Sequence, residues 1–318
     1  MDKDCDCDHI WGVPPTVPVL DDDAVQVWRA FLDVAPERVA ALHRTLAVDE
    51  RARAERFRFP IDHARFIVAR GLLRAIIARY LDREPGAITF QYSTSGKPSL
   101  RDEASSGLRF NVSHADDIAL YAVTHFRAVG VDIEGIRADM ASERIAERFF
   151  SPREVATLRA LHPDLQRDAF FRCWTRKEAY VKARGTGITA ALDQFDVSLA
   201  PGEPAMILES REAGAARHRW SLHHLTPGPG YVGAVARESE SDTLTCWQWQ
   251  EPSDRHQGDM CDEQGPSGRR PLEPAETRRQ RCNVSDLSWN TDPILASPSC
   301  HTPLIGACHG NDAFGRRQ

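Results

Sequence analysis

No stretch of this 318-residue chain is apolar for long enough to cross a bilayer. The best candidate, ARFIVARGLLRAIIARYL, is cut by Arg70, Arg74 and Arg79. The first ten residues, MDKDCDCDHI, lack the basic start and apolar run of a secretory signal. The sequence therefore predicts a soluble, cytoplasmic protein with no membrane partner. An excess of basic residues is missing as well. The formal net charge of −6 argues against a general nucleic-acid binder. A disulfide framework is not expected, because six of the eight cysteines (Cys5, Cys7, Cys261, Cys282, Cys300 and Cys308) crowd towards the termini, leaving Cys173 and Cys246 between. Cys5, Cys7 and His9 have the types of metal ligands, but a solvated acidic tail is the plainer reading. Cys300–His301 and Cys308–His309 lack zinc-finger spacing. Apolar residues are somewhat scarce, at 42%, which implies that part of the chain carries no core.

That part is the C-terminal segment. From EPSDRHQGDMCDEQGPSGRRPLEPAE onwards the chain is rich in Pro, Gly and charge and has no sustained apolar period. Such sequence cannot bury enough surface to offset its ordering entropy. The expected organisation is a flexible N-terminus over 1–20, a first half over 21–125, a second half over 126–249 and a disordered tail over 250–318.

Within the periodic region, VQVWRAFL reads as a strand, and PERVAALHRTLAVDERARAERF and IDHARFIVARGLLRAIIARYL read as helices. In the latter, Ala69, Leu72, Leu73, Ile76, Ile77 and Tyr80 recur at spacings of three and four, the mark of a buried helix face. ITFQYS and IALYAVT read as strands, with the turn TSGKPSL following the first. The second half begins with the strand VGVDIE. Helices follow at SERIAERFF, SPREVATLRAL and RDAFFRCWTRKEAYVKARG, then short strands near FDVSLA, RWSLHHL and GYVGAVA. SPRE has a Ser cap, Pro at the first turn and Glu at the third position. Both halves run strand, helices, strands, so the fold class expected is α+β.

The chemistry starts at VGVDIEGIR, residues 129–137. Asp132 and Glu134 lie two apart in an extended chain, so their carboxylates share one face. Two adjacent carboxylates near a core repel each other unless a cation offsets them. In WTRKEAYVK, Trp174, Glu178 and Lys182 are spaced four apart on one helical stripe. A Glu–Lys pair at that spacing is commonly a surface ion pair worth about a few tenths of a kcal/mol. Trp174, with Phe170 and Phe171 nearby, argues that this face is covered. A helix packed on the VGVDIE strand would bring three carboxylates together, an oxygen-rich site suited to Mg²⁺. Other residues suit a phosphorylated ligand. Gly96, Lys97 and Pro98 form a tight turn that presents a cation. Ser113 and His114 in FNVSH can donate to phosphate oxygens, although His114 alone would as readily be a core histidine. The segment RARAERFRF, with Arg65, Arg70 and Arg74 beyond it, is arginine-dense, and arginine forks match phosphate well. Its plainer reading is a solvated helix.

GKP, FNVSH, VGVDIE, FFS and WTRKEAYVKARGTGI, in this order and at these separations, resemble the 4′-phosphopantetheinyl transferases of the surfactin-synthetase-activator type. The likeness runs from about VQVWRAFLD to YVGAVA and does not reach the tail. It implies a pseudo-twofold pair of α+β halves with the active site in the cleft between them. It also implies a Mg²⁺-dependent transfer of the phosphopantetheine arm of coenzyme A to a serine of an apo acyl or peptidyl carrier protein, releasing adenosine 3′,5′-bisphosphate. By matching position, Asp132, Glu134 and Glu178 resemble the metal-binding acids, and Lys182 the lysine at the pyrophosphate. Ser95, Gly96, Lys97, Pro98, Asn111, Ser113 and His114, with Asp132 and Lys182, resemble the coenzyme contacts. Arg53 and Arg65 match basic positions near the 3′-phosphate, with Arg70 beside them. The resemblance makes Glu178 and Lys182 the catalytic pair, and one chain supplies both halves, so a monomer suffices. A Mg²⁺-dependent pyrophosphohydrolase and a non-catalytic carrier- or nucleotide-binding domain are the rival readings. The full set of acids with the lysine counts against the second.

Overall fold

The structure, a computed structural model, describes residues 11–93, 96–137, 143–185, 192–211, 219–239 and 242–251. It is α+β. The chain opens with β1 (Ala24–Phe31), α1 (Pro36–Thr45), α2 (Val48–Ala54) and the long helix α3 (Pro60–Leu81). Next come β2 (Phe90–Tyr92), β3 (Pro98–Leu100), the single turn α4 (Glu103–Ser106), β4 (Leu108–Ala115) and β5 (Ile118–His125). The second half runs β6 (Val129–Gly135), α5 (Glu143–Phe149), α6 (Pro152–Ala160), α7 (Pro163–Arg184), β7 (Phe195–Val197), β8 (Ile207–Ser210), β9 (Trp220–Leu225), β10 (Tyr231–Glu238) and β11 (Thr243–Gln248).

Two sheets form the centre. One has the order β11-β1-β5-β4, the other β6-β10-β9. Alternation along the strands sets the layers. Trp28 and Ala30 of β1, with Tyr121 and Val123 of β5, pack on Phe66, Leu72, Leu73 and Ile76 of α3. The intervening residues Val25, Val27, Leu120 and Ala122 face Val129, Val131 and Ile133 of β6 and Val235 of β10. The far face of the second sheet, with Val232, Ala234 and Ala236, packs on Phe170, Trp174, Ala179 and Tyr180 of α7. The layers thus run α3, sheet, sheet, α7.

Several elements differ from the sequence expectation. PERVAALHRTLAVDERARAERF is two helices, because Ala47 is extended and its N–H is capped by Glu50 Oε2 at 2.9 Å. α7 starts at Pro163, ahead of the expected start. Strands β3, β8 and β11 have no separate place in the reading of the sequence. The last of these changes the organisation most. β11 pairs parallel with β1, from Ala24↔Thr243 to Arg29↔Gln248, so the chain returns to complete the sheet of the first half. The helix start at SPRE is as expected. Ser151 Oγ accepts from Glu154 N–H at 3.2 Å, and Glu154 Oε2 accepts from Ser151 N–H at 2.8 Å. α7 ends at Gly185, whose φ of 68° is left-handed.

Gly130 fixes how closely β6 approaches α7. A Cβ there would lie 2.1 Å from the carbonyl oxygen of Ala179 and 2.3 Å from the backbone nitrogen of Ala183. Both atoms belong to a helix backbone and cannot swing aside. Gly130→Ala is expected to push strand and helix apart, at a cost of about 1–3 kcal/mol or more. Calorimetry should show a melting temperature lower by several degrees, at about 2–4 °C per kcal/mol, and an unchanged value would refute the close packing.

Candidate active site

The alternation that sends Val129, Val131 and Ile133 towards the first sheet sends Gly130, Asp132 and Glu134 towards α7. Asp132, Glu134 and Glu178 are all buried, at 3%, 8% and 7% exposure. Lys182, one turn beyond Glu178, reaches across to β6. Its Nζ donates to Asp132 Oδ1 at 2.6 Å and to Ser113 Oγ at 3.0 Å. Ser113 passes the bond on, donating to the same Asp132 Oδ1 at 3.0 Å. The i, i+4 spacing of Glu178 and Lys182 is therefore not a surface ion pair, since the lysine serves the strand opposite.

Carboxylates held out of water against one another resist ionisation. Burial, then Asp132, pushes Glu134 up to about 8, against the pull of Lys182 and Arg137. Burial, then Asp132, pushes Glu178 up to about 7. Burial also raises Asp132, although Lys182 and Ser113 oppose the rise. Burial alone would lower Lys182, but Asp132, Glu178 and Glu134 outweigh it and keep the ammonium charged. The pocket is short of positive charge. Asp132 Oδ2, moreover, is buried and has no hydrogen-bond partner. Hard oxygen ligands, an unpartnered carboxylate oxygen and unrelieved repulsion fit a divalent cation such as Mg²⁺. As they stand, however, the His, Cys, Asp and Glu side chains among the described residues form no group of three or more gathered closely enough to hold a metal ion. Lys182 sits on the Asp132 oxygen.

The frame around this cluster is built from β4 and the turn before β3. Asn111 Oδ1 accepts from the N–H of Val131 at 2.8 Å, joining β4 to β6 where the two sheets meet. Gly96 adopts a φ of 73°, and Lys97 sends its Nζ to the carbonyl oxygen of Lys182 at 2.6 Å. His114 lies within reach of Lys182 and Arg65. Burial first, then those two cations, pushes it down to about 3, so it is neutral at physiological pH.

The arginines are placed on α2 and α3 and are engaged with the protein itself. Arg65 makes a two-pronged pair with Asp33, at 2.7 and 2.8 Å. Arg70 donates to Glu50 Oε1 at 2.7 Å and to the Tyr92 hydroxyl at 2.6 Å. Arg74 takes the other oxygen of Glu50 at 2.7 Å. Arg53 lies 5.8 Å over the ring of Phe66. Pro98 begins β3. Ser95 and the Cys5–Cys7–His9, Cys300–His301 and Cys308–His309 clusters lie outside the described residues, as does the segment 252–318. The structure thus brings together Ser113, Asp132, Glu134, Glu178 and Lys182, with Lys97, Asn111 and His114 in their frame. Arg53 and Arg70 make their contacts with Phe66, Glu50 and Tyr92, while Arg65 lies close enough to His114 to lower its pKa. Sequence reasoning missed Asp33 and Glu50, the acids that hold Arg65, Arg70 and Arg74. Glu50 had one visible signal, its place in the first turn of a helix.

A buried triad of acids around one charged lysine, where the two sheets meet, is the kind of perturbed, convergent set that enzyme active sites carry. The comparisons name the family. The pattern of the 4′-phosphopantetheinyl transferase superfamily matches residues 128–236, and that of the 4′-phosphopantetheinyl transferase N-terminal region matches residues 33–125. The chain is 44% identical over 230 residues to the 4′-phosphopantetheinyl transferase HetI of Nostoc sp., covering 72% of this chain and 93% of that one. It is 35% identical over 219 residues to the 4′-phosphopantetheinyl transferase psf-1 of Bacillus pumilus, covering 67% and 89%. With the 4′-phosphopantetheinyl transferase Sfp of Bacillus subtilis it shares 32% identity over 154 residues, covering 48% and 66%. The chain belongs to the 4′-phosphopantetheinyl transferase family and is a transferase. No helix among the described residues is long and apolar enough to cross a membrane.

Proposed function

We propose that this enzyme transfers the phosphopantetheine arm of coenzyme A to a serine of an apo acyl or peptidyl carrier protein, in a Mg²⁺-dependent reaction that releases adenosine 3′,5′-bisphosphate. The observation that carries the proposal is the buried cluster of Asp132, Glu134 and Glu178 around Lys182. Asp132, Glu134 and Glu178 would hold Mg²⁺, which, when bound, supplies Lewis-acid stabilisation of charge on the pyrophosphate. Glu178, with its pKa near 7, has the basicity to accept the proton of the attacking serine hydroxyl at neutral pH. Lys182, kept charged by its carboxylate neighbours, steadies the charge that develops on the leaving phosphate. Ser113 orients that ammonium, and Asn111 holds β6 in register so that Asp132 meets it. His114, neutral, would offer a phosphate oxygen one hydrogen bond rather than a charge. The resemblance in sequence also assigns Ser95, Gly96 and Pro98 to contacts with the coenzyme. The resemblance also assigns Arg53 and Arg65 to the 3′-phosphate, and a phosphate reaching Arg65 would compete with Asp33 for its fork.

The proposed units are a first half ending near residue 125, a second half up to about 249 whose last strand completes the first sheet, and a tail beyond. One assay tests the function. The full chain is incubated with coenzyme A, Mg²⁺ and an apo carrier protein, and the carrier is weighed. A gain of one phosphopantetheine is expected. Cleaved coenzyme A beside an unaltered carrier would instead mean a hydrolase, and no change in either would mean a binding domain.

A further inference from the structure

We infer that Lys97 is a positioning residue: its ammonium holds the last turn of α7 so that the Lys182 side chain meets Asp132 and Ser113. The inference rests on the role given to Lys182 above. Lys97 sits in a turn closed on both of its backbone sides. Ser93 N–H donates to the Lys97 carbonyl at 3.0 Å, Gly96 N–H to the Ser93 carbonyl at 2.9 Å, and Lys97 N–H to Ser93 Oγ at 3.0 Å. With its backbone fastened, the residue extends its side chain into the other half of the molecule. There Nζ donates to the Lys182 carbonyl at 2.6 Å, across 85 positions of sequence.

That carbonyl is no ordinary acceptor. Among the described residues the last backbone bond of α7 runs from Gly185 N–H to the Val181 carbonyl at 3.0 Å, and Lys182 lies in that final turn. Carbonyls at a helix C-terminus lack intrahelical donors and carry its partial negative charge, which a cation stabilises. The same residue is gripped at its other end, where the Lys182 ammonium meets Asp132 Oδ1 at 2.6 Å and Ser113 Oγ at 3.0 Å. Lys182 is therefore held by backbone and by side chain, and both holds come partly from the first half, through Lys97 and Ser113. Helix ends fray when such bonds are absent. A drift of about 1 Å in a charged group at the reacting phosphate can cost about 10²-fold in rate.

The resemblance in sequence alone implies a different role, a direct contact between Lys97 and the coenzyme. The two roles have different kinetic signatures. A lost phosphate contact weakens coenzyme binding and raises KM, whereas a lost positioning bond lowers kcat while binding is kept.

The test uses the full chain with Lys97→Met and Lys97→Gln. Coenzyme A affinity is measured by calorimetry, and kcat and KM by carrier mass. Lys97→Met is expected to lower kcat by about 10- to 100-fold while the Kd for coenzyme A stays within about threefold. Lys97→Gln, which keeps an N–H donor but no charge, should recover part of kcat. If both variants instead raise Kd alike and keep kcat, Lys97 is a phosphate contact and the inference fails. If neither parameter moves, the bond has no catalytic consequence and it fails equally. Should Lys97→Met not fold, the glutamine variant decides between the same outcomes. Absence of transfer by the wild-type chain would overturn the proposed function itself, a result separate from either variant's behaviour.

Discussion

Replacing Glu178 with glutamine is expected to cut kcat by at least about two orders of magnitude while coenzyme A still binds, since losing a general base typically costs ~10²–10⁴-fold. The substitution keeps the shape and one carbonyl oxygen but removes charge and basicity. Glu178 lies one helical turn before Lys182, on the face of α7 that packs against β6. Burial and Asp132 together place its pKa near 7, where a base is most useful at neutral pH. Glu134 is raised in the same way by burial and Asp132, a strain that a bound cation would relieve. Its part is to hold that cation. Glu134→Gln should therefore be milder, and high Mg²⁺ or Mn²⁺ should restore part of its rate. Excess metal should not restore Glu178→Gln. Steady-state rates across a metal titration check both variants. Equal rescue of the two would reduce Glu178 to a ligand and move the base to a bound water.

The acids and the lysine were legible in sequence because two periodicities coincide there. Period two put Asp132 and Glu134 on one face, and period four put Glu178 on the stripe of Lys182. What joins them was not legible. Asn111 Oδ1 to Val131 N–H and Ser113 Oγ to Asp132 link β4 to β6 across about 20 residues, and no local pattern marks such a bond. The partners of the arginines were hidden for a related reason. Arg65 and Arg70 carry the right chemistry for phosphate, but their acidic partners Asp33 and Glu50 lie on other elements, reached only through the fold. The helices were read well where apolar spacing was sustained, as in α3, and poorly where two extended residues, Leu46 and Ala47, divide a run of good helix formers. β11 was missed because TLTCWQ is a single short strand, far in sequence from the β1 strand that it pairs with in parallel. Parallel pairing leaves no hairpin turn to reveal it.

That strand sets where the folded unit ends. Stopping the chain after residue 251 is expected to leave transfer rate and melting temperature nearly unchanged, whereas stopping after residue 242 should abolish cooperative folding. Beyond Glu251 the sequence is the Pro-, Gly- and charge-rich segment with no apolar period. Before it, each step of the chain is tied to the first half. Cys246 is buried between the sheets. Trp247 and Trp249 lie 6.5 and 6.1 Å from Trp28, at the centre of the α3 layer. Arg79 of α3 covers Trp249 at 4.4 Å, and Glu251 pairs with Arg38 of α1 at 2.6 Å. Gly12 adds one more tie, donating its N–H to the Cys246 carbonyl at 3.0 Å. Removing residues 243–251 would strip β1 of one partner, leave its edge open and uncover Trp28. Each large apolar side chain lost from a core forfeits roughly 1.5–3 kcal/mol. The loss of buried Trp249 and Cys246 with the partly buried Leu244 and Trp247 is a sizeable share of the roughly 5–15 kcal/mol by which a whole domain is stable. Differential scanning calorimetry and tryptophan fluorescence distinguish the two truncations. If the shorter chain still melted cooperatively within a few degrees of the full one, β11 would be an appendage to the first sheet rather than part of its core.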